Sequence, residues 1–272
     1  MPDIFLYNAE IARKLDYEFI NHISKEKQND DCLLILVTGG GDADAAYKIG
    51  RYIQDTYDSF SILVSGICKS AGTLLAISAK ELIFAPYGEL GPIDVQMQKE
   101  DQLGSLHSGL NINEGFRSIE TRATDTYHRI IGEVLTASEG NINIRTALHA
   151  ASELVSSLYS PILGRIDPEE VGSRSRDMRI GRDYAMRLNE KWGNLRQTEE
   201  AIQWLTTAYP SHGFVIDYRE AKTLFNNVRL TTDHEMGIIQ DLDLISRFPS
   251  TSPIIKCLNH NENEDNETEE SQ

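Results

Sequence analysis

Short, continuous apolar runs alternate along the first part of the chain with stretches in which apolar residues recur at helical spacing. A continuous run is typical of a strand buried on both faces, and helical spacing is typical of a helix with one buried face. The predicted strands lie at 32–37, 61–67 and 82–85, and the predicted helices at 9–25, 42–57 and 70–80. Alternating strands and helices with glycine turns between them predict an α/β fold with parallel strands.

The second half of the chain is dominated by helical spacing. Residues 116–158 and 175–208 repeat apolar positions in this way, and Asp167-Pro168-Glu169-Glu170 between them is a typical helix start. The polar, glycine-containing stretch 96–115 predicts a mobile loop. We therefore predict a single domain over residues 1–258, in which about 116–208 form a helical arm.

Charge narrows the range of partners. The chain of 272 residues has a net charge of −16, and its last segment, 259–272, carries six acidic residues and no lysine or arginine. That segment has no aliphatic residue and no periodicity, which predicts a disordered acidic tail. The rest of the chain is also acidic. This disfavours a nucleic-acid partner or an anionic membrane, because phosphate contacts need clustered lysine and arginine.

The cysteines and the hydropathy indicate a cytoplasmic protein. Cys32, Cys68 and Cys257 are odd in number and far apart, so a disulfide framework is not expected. No cysteine or histidine spacing matches a zinc site, and no metal is expected. No stretch approaches the roughly 18 apolar residues of a membrane span, and the N-terminus shows no export signal.

Three consecutive glycines, Gly39–Gly41, separate the first predicted strand of this series from the helix that follows. Such a turn can cradle a phosphate, supply backbone N–H groups to an oxyanion hole, or simply reverse the chain. A phosphate is disfavoured, because no Gly-Lys-Ser/Thr follows and because Asp42 and Asp44 place negative charge in the first turn of the helix. An oxyanion hole is the favoured use, and a tight turn is the alternative.

Ser70 occupies the corresponding position after the second predicted strand. A serine between a strand and a helix presents its hydroxyl at the carboxyl end of the sheet, and the small residues Ala71 and Gly72 leave room for a substrate. The same position suits a serine that caps the N-terminus of the helix. From these residues alone, Ser70 is either a nucleophile or an N-cap.

Four segments together resemble the ClpP/crotonase superfamily, and most closely its serine dehydrogenase proteinase family, which is related to signal peptide peptidases of the SppA type. The segments are Thr38–Asp42 (TGGGD), Lys69–Thr73 (KSAGT), Gly88–Asp94 (GELGPID), and Tyr209–Ile216 (YPSHGFVI) followed by Glu220-Ala221-Lys222. The resemblance covers about residues 10–230, and 65–94 is its most specific part. It implies a repeated ββα spiral with a helical oligomerisation arm, and assembly into a homo-oligomer.

The resemblance also implies roles for individual residues. Ser70 corresponds to the nucleophile, which would attack a carbonyl carbon and form an acyl-enzyme. The oxyanion hole would be formed by the N–H of Gly40 or Gly41 together with the N–H of Ala71.

The implied general base departs from the ClpP pattern. The position close to the ClpP histidine holds Asp94, and the position close to the ClpP aspartate holds His212. The implied triad is Ser70, His212 and Asp94, with the last two roles exchanged along the chain. Asp94 is alternatively a residue that fixes the Gly-Pro-Ile-Asp turn. The other candidates for the base are Lys69, Lys99, His107 or no base at all.

These residues favour a serine peptidase that acts on peptides or partly unfolded proteins without a cofactor. Nothing in the chain resembles an ATPase, so an unfolding or regulatory partner would be a separate protein. Cys68 is expected in the core rather than as a nucleophile. Two other functions stay open: a crotonase-like acyl-CoA enzyme, which uses the same oxyanion hole with a carboxylate acid or base, and a catalytically inactive oligomeric scaffold.

Overall fold

The computed structural model describes residues 1–93, 109–139, 141–165, 167–211 and 213–259. It is a mixed α/β protein with a mostly parallel central sheet. The chain divides into two compact units, one formed by Met1–Gly104 with Asp177–Gln272 and the other by Ser105–Arg176. Within the described ranges, no helix is both long enough and apolar enough to cross a membrane.

The strands form two sheets. Among the described residues they are β1 (Asp3–Asn8), β2 (Asp31–Val37), β3 (Ser59–Val64), β4 (Ile67–Cys68), β5 (Glu81–Phe84), β6 (Glu89–Leu90), β7 (Val228–Leu230) and β8 (Ile254–Cys257). The main sheet has the order β7-β5-β3-β2-β1-β8, and all its neighbouring pairs are parallel except β1 with β8. β4 and β6 form a separate parallel pair. The predicted α/β fold with parallel strands is confirmed.

The predicted strand 61–67 is wrong as a single element, because the chain changes sheets within it. β3 ends at Val64 in the main sheet, and β4 begins at Ile67 in the second sheet. The step lies at Gly66, where an added Cβ would be 2.1 Å from the carbonyl oxygen of Arg247. The N–H of Ile67 donates to that same oxygen at 3.0 Å. The backbone therefore leaves β3 to pair with a segment far along the chain.

The same step is repeated after β5. An added Cβ at Gly88 would lie 2.1 Å from the carbonyl oxygen of Val64, and the N–H of Glu89 donates to the carbonyl oxygen of Gly66 at 2.9 Å. Two successive main-sheet strands, β3 and β5, are thus each followed by a short strand of the second sheet.

The helices account for most of the remaining described chain. They are α1 (Arg13–Glu26), α2 (Ala43–Thr56), α3 (Ala71–Ile77), α4 (Gly109–Ala137), α5 (Ile144–Leu163), α6 (Pro168–Asn189), α7 (Thr198–Gln203), α8 (Tyr218–Leu224) and α9 (Asp233–Leu242). A π-helix, Trp204–Ala208, follows α7, and a 3₁₀-helix, Asp243–Ser246, follows α9.

Helix boundaries differ from the sequence expectations in the second unit. α4 begins at Gly109, inside the stretch 96–115 that was predicted as a loop; residues 94–108 lie outside the described residues. The predicted helical stretch 116–158 is divided between α4 and α5, and the side chain of Asn143 begins α5 by accepting the N–H of Thr146 at 3.0 Å. The predicted acidic tail lies outside the described residues except for Asn259.

The core lies on both faces of the main sheet. Successive residues of β1 alternate, so that Phe5 and Tyr7 enter one apolar cluster while Ile4 and Leu6 enter the other. Residues of α1, α2, α3, α6, α7 and α8 also belong to the first cluster, and Ile239 of α9 is buried in the second. A strand that is covered on both faces needs apolar residues at every position, which explains the continuous runs in the sequence.

Candidate active site

Ser70 has a strained backbone at the junction between β4 and α3. Its φ is 51° and its ψ is −111°, a combination that a residue with a Cβ adopts only when its surroundings impose it. The residue occupies the N-cap position of α3, yet its side chain makes no capping hydrogen bond to that helix. Only 3% of Ser70 is exposed. The N-cap interpretation therefore describes where Ser70 lies but not what its hydroxyl does.

Hydrogen bonds on both sides of Ser70 hold this conformation. The N–H of Lys69 donates to the carbonyl oxygen of Thr38 at 3.0 Å, and the N–H of Thr38 donates to that of Ile67 at 2.8 Å. After the serine, the N–H of Gly72 donates to the carbonyl oxygen of Lys69 at 2.8 Å. β4 is thus joined to the end of β2, and the glycine turn and Ser70 meet at the carboxyl edge of the strands.

Gly40 packs directly against Ser70. A Cβ at Gly40 would lie 2.8 Å from the Cβ of Ser70 and 3.4 Å from its Oγ, and Gly40 has a φ of +116°. Gly41 is equally constrained, with a φ of +134° and a hypothetical Cβ 2.1 Å from the carbonyl oxygen of Ile11. Gly39 has open space around it. Two of the three glycines are therefore required by the backbone, and one of them by its contact with the serine.

The amides of the glycine turn are used differently. The N–H of Gly40 donates to Thr38 Oγ1 at 3.1 Å. The N–H of Ile11 donates to the carbonyl oxygen of Gly40 at 2.8 Å, and the carbonyl oxygen of Ile11 accepts the N–H of Asp42 at 2.7 Å. These two hydrogen bonds make a parallel β-bridge between Ile11 and Gly41. In such a bridge, the N–H and C=O of the central residue point away from the partner. The Gly41 amide is therefore directed away from Ile11.

Ala71 is the first residue of α3, and it is buried. The first N–H groups of a helix have no acceptor within that helix, so they are available to a ligand. The strained Ser70 is thus followed directly by Ala71, whose N–H makes no hydrogen bond within α3.

The carboxylates next to the glycine turn are paired with a cation that sequence reasoning missed. Asp42 caps α2 by accepting the N–H of Ala45 at 2.9 Å, and Arg13 Nε lies 3.2 Å from its Oδ2. Arg13 also forms an ion pair with Asp44, and Tyr184 Oη donates to Asp44 at 2.7 Å. Arg13 reduces the negative charge beside the turn. Its partners are distant in sequence, so no local pattern could have identified it.

Two backbone carbonyl oxygens and one carboxylate hold the ammonium group of Lys69. Its Nζ donates to the carbonyl oxygens of Leu90 at 3.1 Å and Phe214 at 3.0 Å, and it lies 3.0 Å from Glu89 Oε1. The side chain is 10% exposed. Cys68 is fully buried, and burial raises the pKa of its thiol to about 12 although the charge of Lys69 opposes this. The thiol therefore stays protonated at neutral pH.

The other sequence-predicted base and acid candidates, His212, Asp94, Lys99 and His107, lie outside the described residues. Ile93, which precedes Asp94, is described, and so are both neighbours of His212. Leu90 and Ile216 exchange two backbone hydrogen bonds, each of 3.0 Å.

The segment just before Asp94 is anchored to the helix that begins at the serine. Thr73 Oγ1 donates to the carbonyl oxygen of Gly91 at 2.7 Å and accepts the N–H of Gly91 at 3.2 Å. Two residues later, the N–H of Ile93 donates to the carbonyl oxygen of Leu205 in the π-helix at 2.7 Å. The described segments that precede Asp94 and follow His212 are thus bonded to each other and to the surroundings of Ser70.

Comparison with known proteins finds similarity only among solved structures. No family model matches the chain, and no curated protein matches it. A mutant of the 1510-N membrane-bound stomatin-specific protease is 18% identical, with a TM-score of 0.29, over 53% of this chain and 65% of that chain. A second mutant of that protease, in complex with a substrate peptide, is 22% identical, with a TM-score of 0.30, over 46% of this chain and 61% of that one. The chain spans less than two thirds of either.

Proposed function

We propose that the protein is a serine peptidase with a ClpP/crotonase-like fold, in which Ser70 attacks the carbonyl carbon of a peptide bond and forms an acyl-enzyme. The observation that carries the proposal is the backbone of Ser70, strained at φ 51° and packed against Gly40, with a side chain that does not cap the helix. Strain of this kind persists where the surrounding structure imposes it and is concentrated at functional sites. A nucleophilic serine on a sharp strand-to-helix turn has this arrangement.

The proposed oxyanion hole consists of the N–H groups of Gly41 and Ala71. Gly41 is preferred to Gly40 because the amide of Gly40 already donates to Thr38. Each donor in such a hole contributes about a hundredfold to a thousandfold in kcat. The pairing of Arg13 with Asp42 supports this use, since an uncompensated carboxylate beside the turn would oppose the developing negative charge.

The proposed general base is His212, oriented by Asp94. Support comes from the described neighbours of both residues, because the segments Gly91–Ile93 and Phe214–Ile216 are bonded to Leu90, Thr73 and Lys69 around the serine. The proton of Ser70 would pass to the imidazole during attack and then to the leaving amine. Lys99 and His107 are the competing candidates.

The repeated step from a main-sheet strand to a short strand of the second sheet supports the proposed ββα spiral. The substrate class, peptides or partly unfolded proteins, follows from the sequence resemblance. The same resemblance implies assembly into a homo-oligomer, with the helical arm of about 116–208 as the oligomerisation arm. A separate regulatory or ATPase partner belongs to the same proposal.

A fluorophosphonate probe tests the proposal directly. The probe reacts with activated serines, so it should label the wild-type protein once per chain, and Ser70→Ala should abolish the labelling. Ser24→Ala, an exposed serine of α1, is the matched control and should be labelled as the wild type is. An unlabelled wild type, or labelling that persists in Ser70→Ala, would show that the protein is not a hydrolase of this kind.

The same assay identifies the base. His212→Gln and Asp94→Asn should slow labelling and peptide hydrolysis by about a thousandfold or more, as expected for residues that act as one unit with the nucleophile. Lys99→Met and His107→Gln should leave both rates close to wild type. A protein that binds acyl-CoA and keeps full activity towards it in Ser70→Ala would instead be a crotonase-like enzyme.

A further inference from the structure

Lys69 carries a buried ammonium group whose donors are matched by acceptors. An ammonium has three N–H donors, and Nζ has three acceptors near 3 Å: Leu90 O at 3.1 Å, Phe214 O at 3.0 Å and Glu89 Oε1 at 3.0 Å. Glu89 is itself only 26% exposed. A charge removed from water to this extent is stable only when it is paired and hydrogen-bonded, as Lys69 is.

The acceptors belong to two segments that are far apart in sequence. Glu89 and Leu90 form β6, which continues into Gly91. Phe214 lies two residues before Ile216, which pairs with Leu90 through two backbone hydrogen bonds. The backbone of Lys69 is also fixed, since its N–H donates to Thr38 and its carbonyl accepts Gly72. The side chain of Lys69, the residue directly before Ser70, therefore connects both segments to the start of α3.

We infer that Lys69 is a positioning residue for the Ser70 site: its ammonium group holds the Leu90 and Phe214 segments at a fixed distance from the nucleophile. The inference rests on the proposed function, in which these segments lead to Asp94 and follow His212. Lys69 acts through backbone carbonyls and touches no reacting atom.

The positive charge of Lys69 is necessary for this positioning role, and it excludes a role as the general base. A lysine becomes a general base only after losing a proton, and the neutral amine would offer two N–H donors to three acceptors and abandon the ion pair with Glu89. An apolar residue of similar length would fill the space, but the carbonyl oxygens of Leu90 and Phe214 and the carboxylate of Glu89 would lose the donor that Lys69 supplies. Lys69→Met is therefore the informative substitution, and Lys69→Arg keeps the charge.

Two measurements test the inference, and one of them does not depend on catalysis. The first is hydrogen exchange at the amides of Leu90 and Ile216, which report the pairing of the two segments. Lys69→Met should accelerate exchange at both amides by about tenfold or more. Glu89→Gln should act in the same direction but less strongly. Lys80→Met removes an exposed lysine at the end of the same strand-to-helix unit and should change neither amide.

The second measurement is the rate of fluorophosphonate labelling per folded molecule as a function of pH. A small displacement of the catalytic groups should slow labelling of Lys69→Met by about tenfold to a hundredfold, with Lys69→Arg recovering part of the rate. The midpoint of the pH profile should stay at its wild-type value, because Lys69 does not take the proton of Ser70. A purely structural lysine would lower thermal stability and leave the rate per folded molecule unchanged.

The outcomes separate the two proposals. If the wild type is labelled and Lys69→Met reacts within about twofold of it, with unchanged exchange at Leu90 and Ile216, the inference about Lys69 is wrong while the hydrolase stands. Loss of the pH-dependent limb in Lys69→Arg would make Lys69 the base and would also overturn the inference. If Lys69→Met accelerates hydrogen exchange at Leu90 and Ile216 but the wild type is never labelled, the proposed hydrolase function is wrong. The role of Lys69 in holding the two segments then still stands. Should Lys69→Met fail to fold, Glu89→Gln and Lys69→Arg give the same tests.

Discussion

Gly40 and Ser70 share a contact that leaves no room for a side chain on the glycine. The hypothetical Cβ of Gly40 falls 2.8 Å from Ser70 Cβ and 3.2 Å from the carbonyl oxygen of Lys69, and both of these neighbours are held by hydrogen-bonded backbone. The positive φ of Gly40 adds strain for any other residue. The position of Ser70 therefore depends on the absence of a side chain at residue 40.

Gly40→Ala should therefore destabilise the protein by about 1–3 kcal/mol and slow fluorophosphonate labelling, because the serine must move to accept the methyl group. Gly39→Ala is the matched control, since nothing lies within 4 Å of its hypothetical Cβ. Chemical denaturation of both variants, with labelling rates per folded molecule, checks this. Equal stability and equal labelling of the two variants would contradict the assigned contact.

At the scale of secondary-structure elements, a charged network joins β7 and β5, at the edge of the main sheet, to the N-terminus of α9. Thr232 begins α9 with a capping box, in which its hydroxyl accepts the N–H of Glu235 and its own N–H donates to the Glu235 carboxylate. Arg229 of β7 donates to both oxygens of Glu235 at 2.8 and 2.7 Å, and it pairs with Glu81 of β5. Burial alone would raise the pKa of Glu235, but these hydrogen bonds lower it.

Thr232→Ala should cost about 1 kcal/mol, the usual value of an N-cap side chain, because the N–H of Glu235 loses its acceptor. Thr232→Ser keeps the hydroxyl and should recover most of the loss. Urea denaturation measures both free energies of unfolding. A serine variant as unstable as the alanine variant would mean that the methyl group of Thr232, rather than its cap, stabilises α9.

At the scale of the whole molecule, Asp3 connects parts of the chain that are not neighbours in sequence. This carboxylate, 1% exposed at the start of β1, accepts the N–H groups of Gln28 and Asn29 and the hydroxyl of Tyr57 at 3.0 Å. Burial alone would raise its pKa, but the hydrogen bonds from Asn29, Gln28 and Tyr57 outweigh this and lower the pKa below 3.8. The stabilisation is therefore present above pH 3.8 and is lost as the pH falls through the lowered value.

Asp3→Asn should lower the free energy of unfolding by about 2 kcal/mol at neutral pH, because an amide cannot accept all the donors that meet the carboxylate. The difference from wild type should shrink as the pH falls from 3.8 through the lowered pKa of the folded state, because the wild-type carboxylate then becomes protonated. Denaturation curves measured across this range check the sign. A difference for Asp3→Asn that stays constant with pH would contradict the assignment.

The parts of the fold that could be predicted are those whose cause is local. β2 is apolar at nearly every position because both faces of the sheet are covered, and the same pattern identified β5. β8 is a short antiparallel edge strand with partly exposed residues, so its pattern carries little signal. The division of 61–67 into β3 and β4 depends on Arg247, and no pattern within the run could reveal a partner so far away.

By itself, the sequence determined the parallel α/β core and the two turns at its carboxyl edge, because buried strands and glycine turns leave patterns in neighbouring residues. It also limited the role of Ser70 to two alternatives, a nucleophile or an N-cap. Only the tertiary structure decided that the serine is strained, does not cap α3 and lies against Gly40, and that Lys69 binds Glu89, Leu90 and Phe214. These features depend on contacts between segments that only folding brings together.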